Sequence, residues 1–117
     1  MGSKVTIYHN PRCSKSRETL ALLQAHGVEP KVIEYLKTPP SASALKALLA
    51  QLGLSARELL RTKEEEYKAA GLDKASVTEA QIIAAMVKHP VLIERPIVVA
   101  DGKARLGRPP EAVLDIL

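Results

Sequence analysis

Tryptophan and phenylalanine are missing from this 117-residue chain, tyrosine occurs three times, and there is a single cysteine. With so few aromatic rings, the core must be built from Leu, Ile, Val and Ala, a composition that suits helices covering a small sheet. One cysteine excludes an internal disulfide framework and any zinc site of Cys-rich spacing. No apolar run approaches the roughly 18 residues that suggest a membrane span, and no apolar targeting segment follows the Met1-Gly2-Ser3-Lys4 start. Neither sign of charge dominates. The net charge of +4 is modest, and acidic stretches such as Glu64-Glu65-Glu66 interrupt it, so charge alone gives no argument for nucleic acid. These absences place the chain in a reducing cytoplasm, where the lone thiol has to be judged as a reactive group.

What is there fits one domain, expected to span residues 1–117. Lys4 to Tyr8 alternates and is β-branched, as a first strand should be, and Asn10-Pro11 ends it. A helix from Ser14, with Leu20 and Leu23 on its apolar side, stops at Gly27. Lys31 to Leu36 reads as a second strand. Ser41 caps a helix in which Leu45, Leu48, Leu49 and Leu52 repeat at helical spacing before Gly53. Ser55-x-x-Glu58 and Thr78-x-x-Gln81 are capping boxes, and they make about residues 55–89 a helical insertion in which Ile82, Ile83, Met86 and Val87 are expected inside. Pro96 to Ala100 and Lys103 to Leu106 flank the hairpin signal Asp101-Gly102, and Pro109-Pro110 opens a last helix. A mixed four-stranded sheet flanked by helices, with βαβ followed by a β-hairpin and a helix, is the thioredoxin-like plan, an α/β fold class.

The segment His9-Asn10-Pro11-Arg12-Cys13-Ser14-Lys15-Ser16-Arg17 puts the thiol after a strand and at a helix N-terminus. Unpaired backbone N–H groups and the helix dipole favour negative charge there, and the thiolate is the nucleophilic form. Arg12, Lys15 and Arg17 crowd the same position. The same donors suit an oxyanion, so one site can bind an anion and attack it. A lone cysteine is most often a small buried residue, but these polar neighbours make a poor apolar niche. His9, at a strand end, reads as a local hydrogen-bonding group that supports the thiol. Ser16 stands where a C-x-x-C redox pair needs its second cysteine, so a resolving thiol has to come from outside. Thr19 stands where a phosphatase-type C-x5-R loop needs arginine.

Arg95-Pro96 opens a later strand. In thioredoxin-like folds a cis proline at this place lies beside the active thiol, and if that isomer holds, Arg95 is aimed at Cys13. Arg108-Pro109-Pro110 would return a second guanidinium to the same end of the sheet, where its planar fork suits a tetrahedral oxyanion. Taken alone, each arginine reads as a surface charge.

The stretches Y-H-N-P-R-C-S-K-S-R at 8–17, Y-L-K-T-P-P at 35–40, L-L-R at 59–61, H-P-V-L-I-E-R-P-I-V-V at 89–99 and R-L-G-R-P-P-E at 105–111 together resemble the glutaredoxin-linked arsenate reductase family, the ArsC-like proteins of the ArsC/Spx branch of the thioredoxin-like superfamily. The resemblance implies that Cys13 attacks arsenate and that Arg61, Arg95 and Arg108 gather around the oxyanion. From its own surroundings Arg61 reads only as a helix-face charge. His9, Ser16, Arg17 and Pro96 are implied to support the thiolate. No metal or bound cofactor is implied. Glutathione is the expected co-substrate, glutaredoxin the expected partner, and a cytoplasmic monomer without nucleic-acid or membrane partners the expected form. Two other readings keep the fold: a glutathione-dependent thiol oxidoreductase of another substrate, and a Spx-like redox regulator that binds RNA polymerase. Ser16 counts against the second, because such regulators carry a C-x-x-C switch.

Overall fold

A computed structural model describes residues 5–117; the strand start expected at Lys4 and the Met1-Gly2-Ser3 lead lie outside the described residues. The elements are β1 (Val5–His9), α1 (Ser14–Ala25), β2 (Lys31–Glu34), α2 (Ala42–Leu52), α3 (Ala56–Leu59), α4 (Glu65–Ala69), α5 (Glu79–Lys88), β3 (Ile97–Ala100) and β4 (Lys103–Leu106), with 3-10 helices at Pro90–Leu92 and Pro110–Ile116. The chain divides into two compact units, residues 5–38 with 95–117, and residues 39–94.

The first unit holds the mixed four-stranded sheet, in the order β2-β1-β3-β4. β1 runs parallel to β2 and antiparallel to β3, and β3 pairs antiparallel with β4. Parallel neighbours need a crossover, which α1 provides. Strand alternation turns Val5, Ile7 and His9 to the buried side of β1. Val5 and Ile7 join Leu23 of α1, Val98 and Ala100 of β3, and Val113 and Ile116 in one apolar core. The turn between β3 and β4 uses Asp101 at φ 52° and Gly102 at φ 77°, the two positive angles that a two-residue hairpin of this kind requires.

The terminal segment departs from the expected α-helix. It buries Pro110, Val113 and Ile116, three residues apart each time. A 3-10 helix has three residues per turn and so carries that spacing on one straight stripe, which a 3.6-residue turn would not.

The second unit is helical. Ser41 caps α2 by accepting the Ala44 N–H at 3.1 Å, and Gly53 ends it in the left-handed region. Both capping boxes form. Ser55 and Glu58 exchange bonds of 2.9 and 3.2 Å, as do Thr78 and Gln81 at 2.8 and 3.2 Å. The two helix starts are also tied to each other, since both Glu79 carboxylate oxygens accept the Ala56 N–H, at 2.9 and 3.1 Å. Ile82, Ile83 and Met86 are buried as expected, while Val87 is only partly covered.

The insertion is less continuous than its sequence suggests, because α3 lasts a single turn. Its backbone groups go to a β-bridge instead: Leu60 pairs with Ile93, the Arg61 N–H donates to the Leu92 carbonyl at 2.8 Å, and the Glu94 N–H donates to the Leu59 carbonyl at 2.9 Å. Replacing Thr78 by Ala removes one side of a capping box. It is expected to cost about 1 kcal/mol, within the usual range of roughly 0.5–2 for such caps, read as a lower urea midpoint at unchanged slope.

Candidate active site

The turn that carries Cys13 is built by Asn10. Its backbone carbonyl accepts the Cys13 N–H and its side-chain oxygen accepts the Arg12 N–H, both at 3.0 Å, with Pro11 setting the turn between them. Cys13 then occupies the position just before α1 with extended backbone angles, and its carbonyl accepts the first helical bond, from the Arg17 N–H at 3.0 Å. Its sulfur stands where a Ser or Asp side chain would normally cap a helix. The side chain does not complete a full capping bond, but the Ser16 and Lys15 N–H groups favour its charged form.

Burial pushes the half-buried Cys13 thiol up. The Ser16 N–H, the Arg95 charge, a hydrogen bond from Arg95 and the Lys15 N–H together outweigh it, and the thiol is held below its ordinary value. Arg108 reaches the same sulfur, with Nη2 at 3.8 Å, while its Nε donates to the Arg95 carbonyl at 2.8 Å. The bonds preceding Pro96 and Pro109 are both cis. The structure therefore brings Cys13, Arg95 and Arg108 together at one end of the sheet.

Beneath them lies a buried polar pair. Ser16 is fully buried; its Oγ accepts the Asn10 N–H at 3.0 Å and lies 2.6 Å from His9 Nδ1. Burial lowers the His9 pKa, Arg17 adds to the effect and Glu34 opposes it. The lowered pKa favours the neutral imidazole, whose Nδ1 shares a hydrogen bond with the Ser16 hydroxyl. His9 therefore acts on the serine that follows the thiol by three residues. Arg17 braces the loop, its Nη1 donating to the Pro11 carbonyl at 2.9 Å. The Lys15 side chain is exposed beside Glu18, at 3.5 Å, so this residue serves the sulfur through its backbone.

Arg61 belongs to the second unit, where it is gripped by two carboxylates: Nη1 donates to Glu94 at 3.0 Å and Nε lies 3.3 Å from Glu64. Its side chain is only 18% exposed, so it is far from the loose helix-face charge that its surroundings in the sequence suggest. Three contributors escaped sequence reading. Asn10 was legible only as a turn residue, Thr19 only as a missing arginine, and Gly107 not at all. The signal for Gly107 was present in R-L-G-R, a glycine between a strand and a charged residue with no reverse turn to explain it. Among the described residues, no group of three or more His, Cys, Asp or Glu could hold a metal ion, and no helix is long and apolar enough to cross a membrane.

Comparison with known proteins places relatives around this geometry. The profile of the ArsC family matches residues 8–116. An Escherichia coli K12 protein described as uncharacterized protein YfgD is 60% identical over 118 residues, covering all of this chain and 99% of its own length. An arsenate reductase of Rhizobium meliloti is 50% identical over 113 residues, covering 97% of this chain and 81% of its own. The solved structure of an arsenate reductase from Vibrio cholerae superimposes with a TM-score of 0.97 at 56% identity over the full length of both chains.

The geometry predicts that alkylation of Cys13 by iodoacetamide, followed against pH, turns on below the range of an ordinary thiol. Arg95→Ala removes a positive charge and a donor, so it raises the inflection and slows alkylation at pH 7 by about threefold to tenfold.

Proposed function

The chain belongs to the ArsC family, and on that premise we propose that it is an arsenate reductase, an oxidoreductase that converts arsenate to arsenite with Cys13 as its nucleophile. The observation that carries the reading is a depressed thiol half-exposed at a helix start with two guanidinium groups beside it. Such a site holds a tetrahedral oxyanion within reach of the sulfur that attacks it. Relatives described as arsenate reductases, at about half identity across nearly the whole chain, supply the choice of anion.

The Cys13 thiolate attacks arsenic, an arsenic–oxygen bond breaks, and water leaves once that oxygen has been protonated, giving a cysteine–arsenic ester. Arg95 and Arg108 stabilise the oxyanion that develops, and Arg61 is the third arginine of the set. A glutathione thiolate then attacks the Cys13 sulfur. The sulfur–arsenic bond breaks, its electron pair stays with arsenic, and arsenite departs in the trivalent state. This leaves a Cys13–glutathione disulfide. A glutaredoxin thiolate takes up the glutathionyl group and frees Cys13. The buried Ser16 supports an external reductant, since it occupies the place of an internal resolving thiol. His9, Ser16 and Arg17 hold the loop, and the Pro96 carbonyl accepts the N–H of Gly107, the residue before Arg108. The protein works as one ArsC-type domain over residues 1–117, as a cytoplasmic monomer with no resident cofactor and no nucleic-acid or membrane partner.

The test is arsenite formation by purified protein supplied with arsenate, glutathione, glutaredoxin, NADPH and glutathione reductase. Wild-type protein is expected to turn over and Cys13→Ser to fall to background. Arg61→Ala is expected to raise the KM for arsenate by about tenfold, the loss of roughly one charge-assisted contact. A folded wild-type protein that makes no arsenite while its thiol still alkylates quickly would overturn arsenate as the substrate.

A further inference from the structure

Gly107 stands between β4 and Arg108 and needs no special backbone conformation, for its φ lies outside the left-handed region. What keeps it glycine is space. A Cβ there would lie 2.7 Å from Pro96 Cγ, 3.1 Å from Thr19 Cγ2, and closer still to Thr19 Oγ1. Neither neighbour is free to give way. Thr19 is fully buried and its hydroxyl donates to the Lys15 carbonyl at 2.7 Å, while the Gly107 N–H is itself bonded to the Pro96 carbonyl at 2.9 Å. The Thr19 side chain thus touches both halves of the thiolate's surroundings. On one side is the first turn of α1, whose Lys15 and Ser16 N–H groups face the sulfur. On the other is Gly107, just past β4, from which the next residue, Arg108, sends Nη2 to within 3.8 Å of it.

We propose that Gly107 and Thr19 are positioning residues, a spacer of fixed thickness that sets the distance between the Arg108 guanidinium and the Cys13 sulfur. The proposal rests on Arg108 acting at the thiolate and not on arsenate being the substrate. Adding one methyl at 107 pushes the end of β4 away from α1 and from Pro96, and Arg108 moves with it.

A pair of alkylating probes reads this without any substrate. Iodoacetate carries a carboxylate and iodoacetamide does not, and both transfer their carbon to the Cys13 sulfur with loss of iodide. The ratio of their rates therefore reports the positive charge close to the thiolate. In Gly107→Ala this ratio is expected to fall by about threefold to tenfold, the effect of displacing one charge by a few ångströms from a partly exposed site. Arg108→Ala should lower it similarly, and the double variant should fall no further than the lower single. Adding Thr19→Ala to Gly107→Ala removes two of the three contacts and should recover part of the loss.

An unchanged ratio in folded Gly107→Ala overturns the proposal, as do losses that multiply in the double variant. Should Gly107→Ala not fold, Thr19→Ala alone carries the same test. It empties the space between Gly107 and α1 and lets Arg108 approach the sulfur, so its ratio must rise, and the rise must be lost in the Arg108→Ala background. Absence of arsenate turnover in the wild type would count against the reaction assigned above and leave this ratio still decisive for the spacer.

Discussion

A half-buried sulfur whose charged form its surroundings favour is the condition on which the rest of this site depends. Burial opposes the thiolate, and the fold answers with donors drawn from three separate pieces of chain: the first turn of α1, Arg95 two residues before β3 and Arg108 two residues after β4. No single contact is strong enough to offset the desolvation, because each acts on a partly exposed group where solvent screens it. What the fold contributes is coincidence in space. β1 delivers Cys13 to the end of the sheet, the antiparallel partner β3 begins at that same end, and the hairpin returns β4 to it.

Below this arrangement sits a second layer of buried polar groups. Asn10, Ser16 and His9 are buried polar residues, and their bonds are directed at one another and at the loop backbone. Buried polar groups that are fully paired specify one geometry, since any slip would strand a donor or an acceptor. The pairing fixes the loop in which Cys13 sits, and burial disfavours a charge on His9.

Much of this was legible in the sequence for local reasons. The capping boxes at Ser55 and Thr78, the caps at Ser41 and Gly53, and the Asp101-Gly102 turn each depend on residues within a few positions of one another, and each forms as read. The place of Cys13 at a helix start was legible in the same way, because the helix start and its charged neighbours are contiguous. What could not be read depends on distant partners. α3 stops after one turn because residues 92–94 claim its backbone, and the terminal helix tightens to three residues per turn because Pro110, Val113 and Ile116 meet the core. Arg61 looks like a surface charge until Glu94, thirty-three residues away, is found on it. Gly107 is silent for the same reason, since the atoms that exclude a side chain belong to Thr19 and Pro96.

The complete burial of Ser16 has a consequence for how this protein records its own oxidation. With one cysteine in 117 residues, it has no closed form in which two of its own sulfurs are joined and two hydrogens lost. Any disulfide at Cys13 keeps the other thiol's whole body attached, so the disulfide-oxidised chain is always heavier than the reduced one, by the mass of whatever thiol it last met.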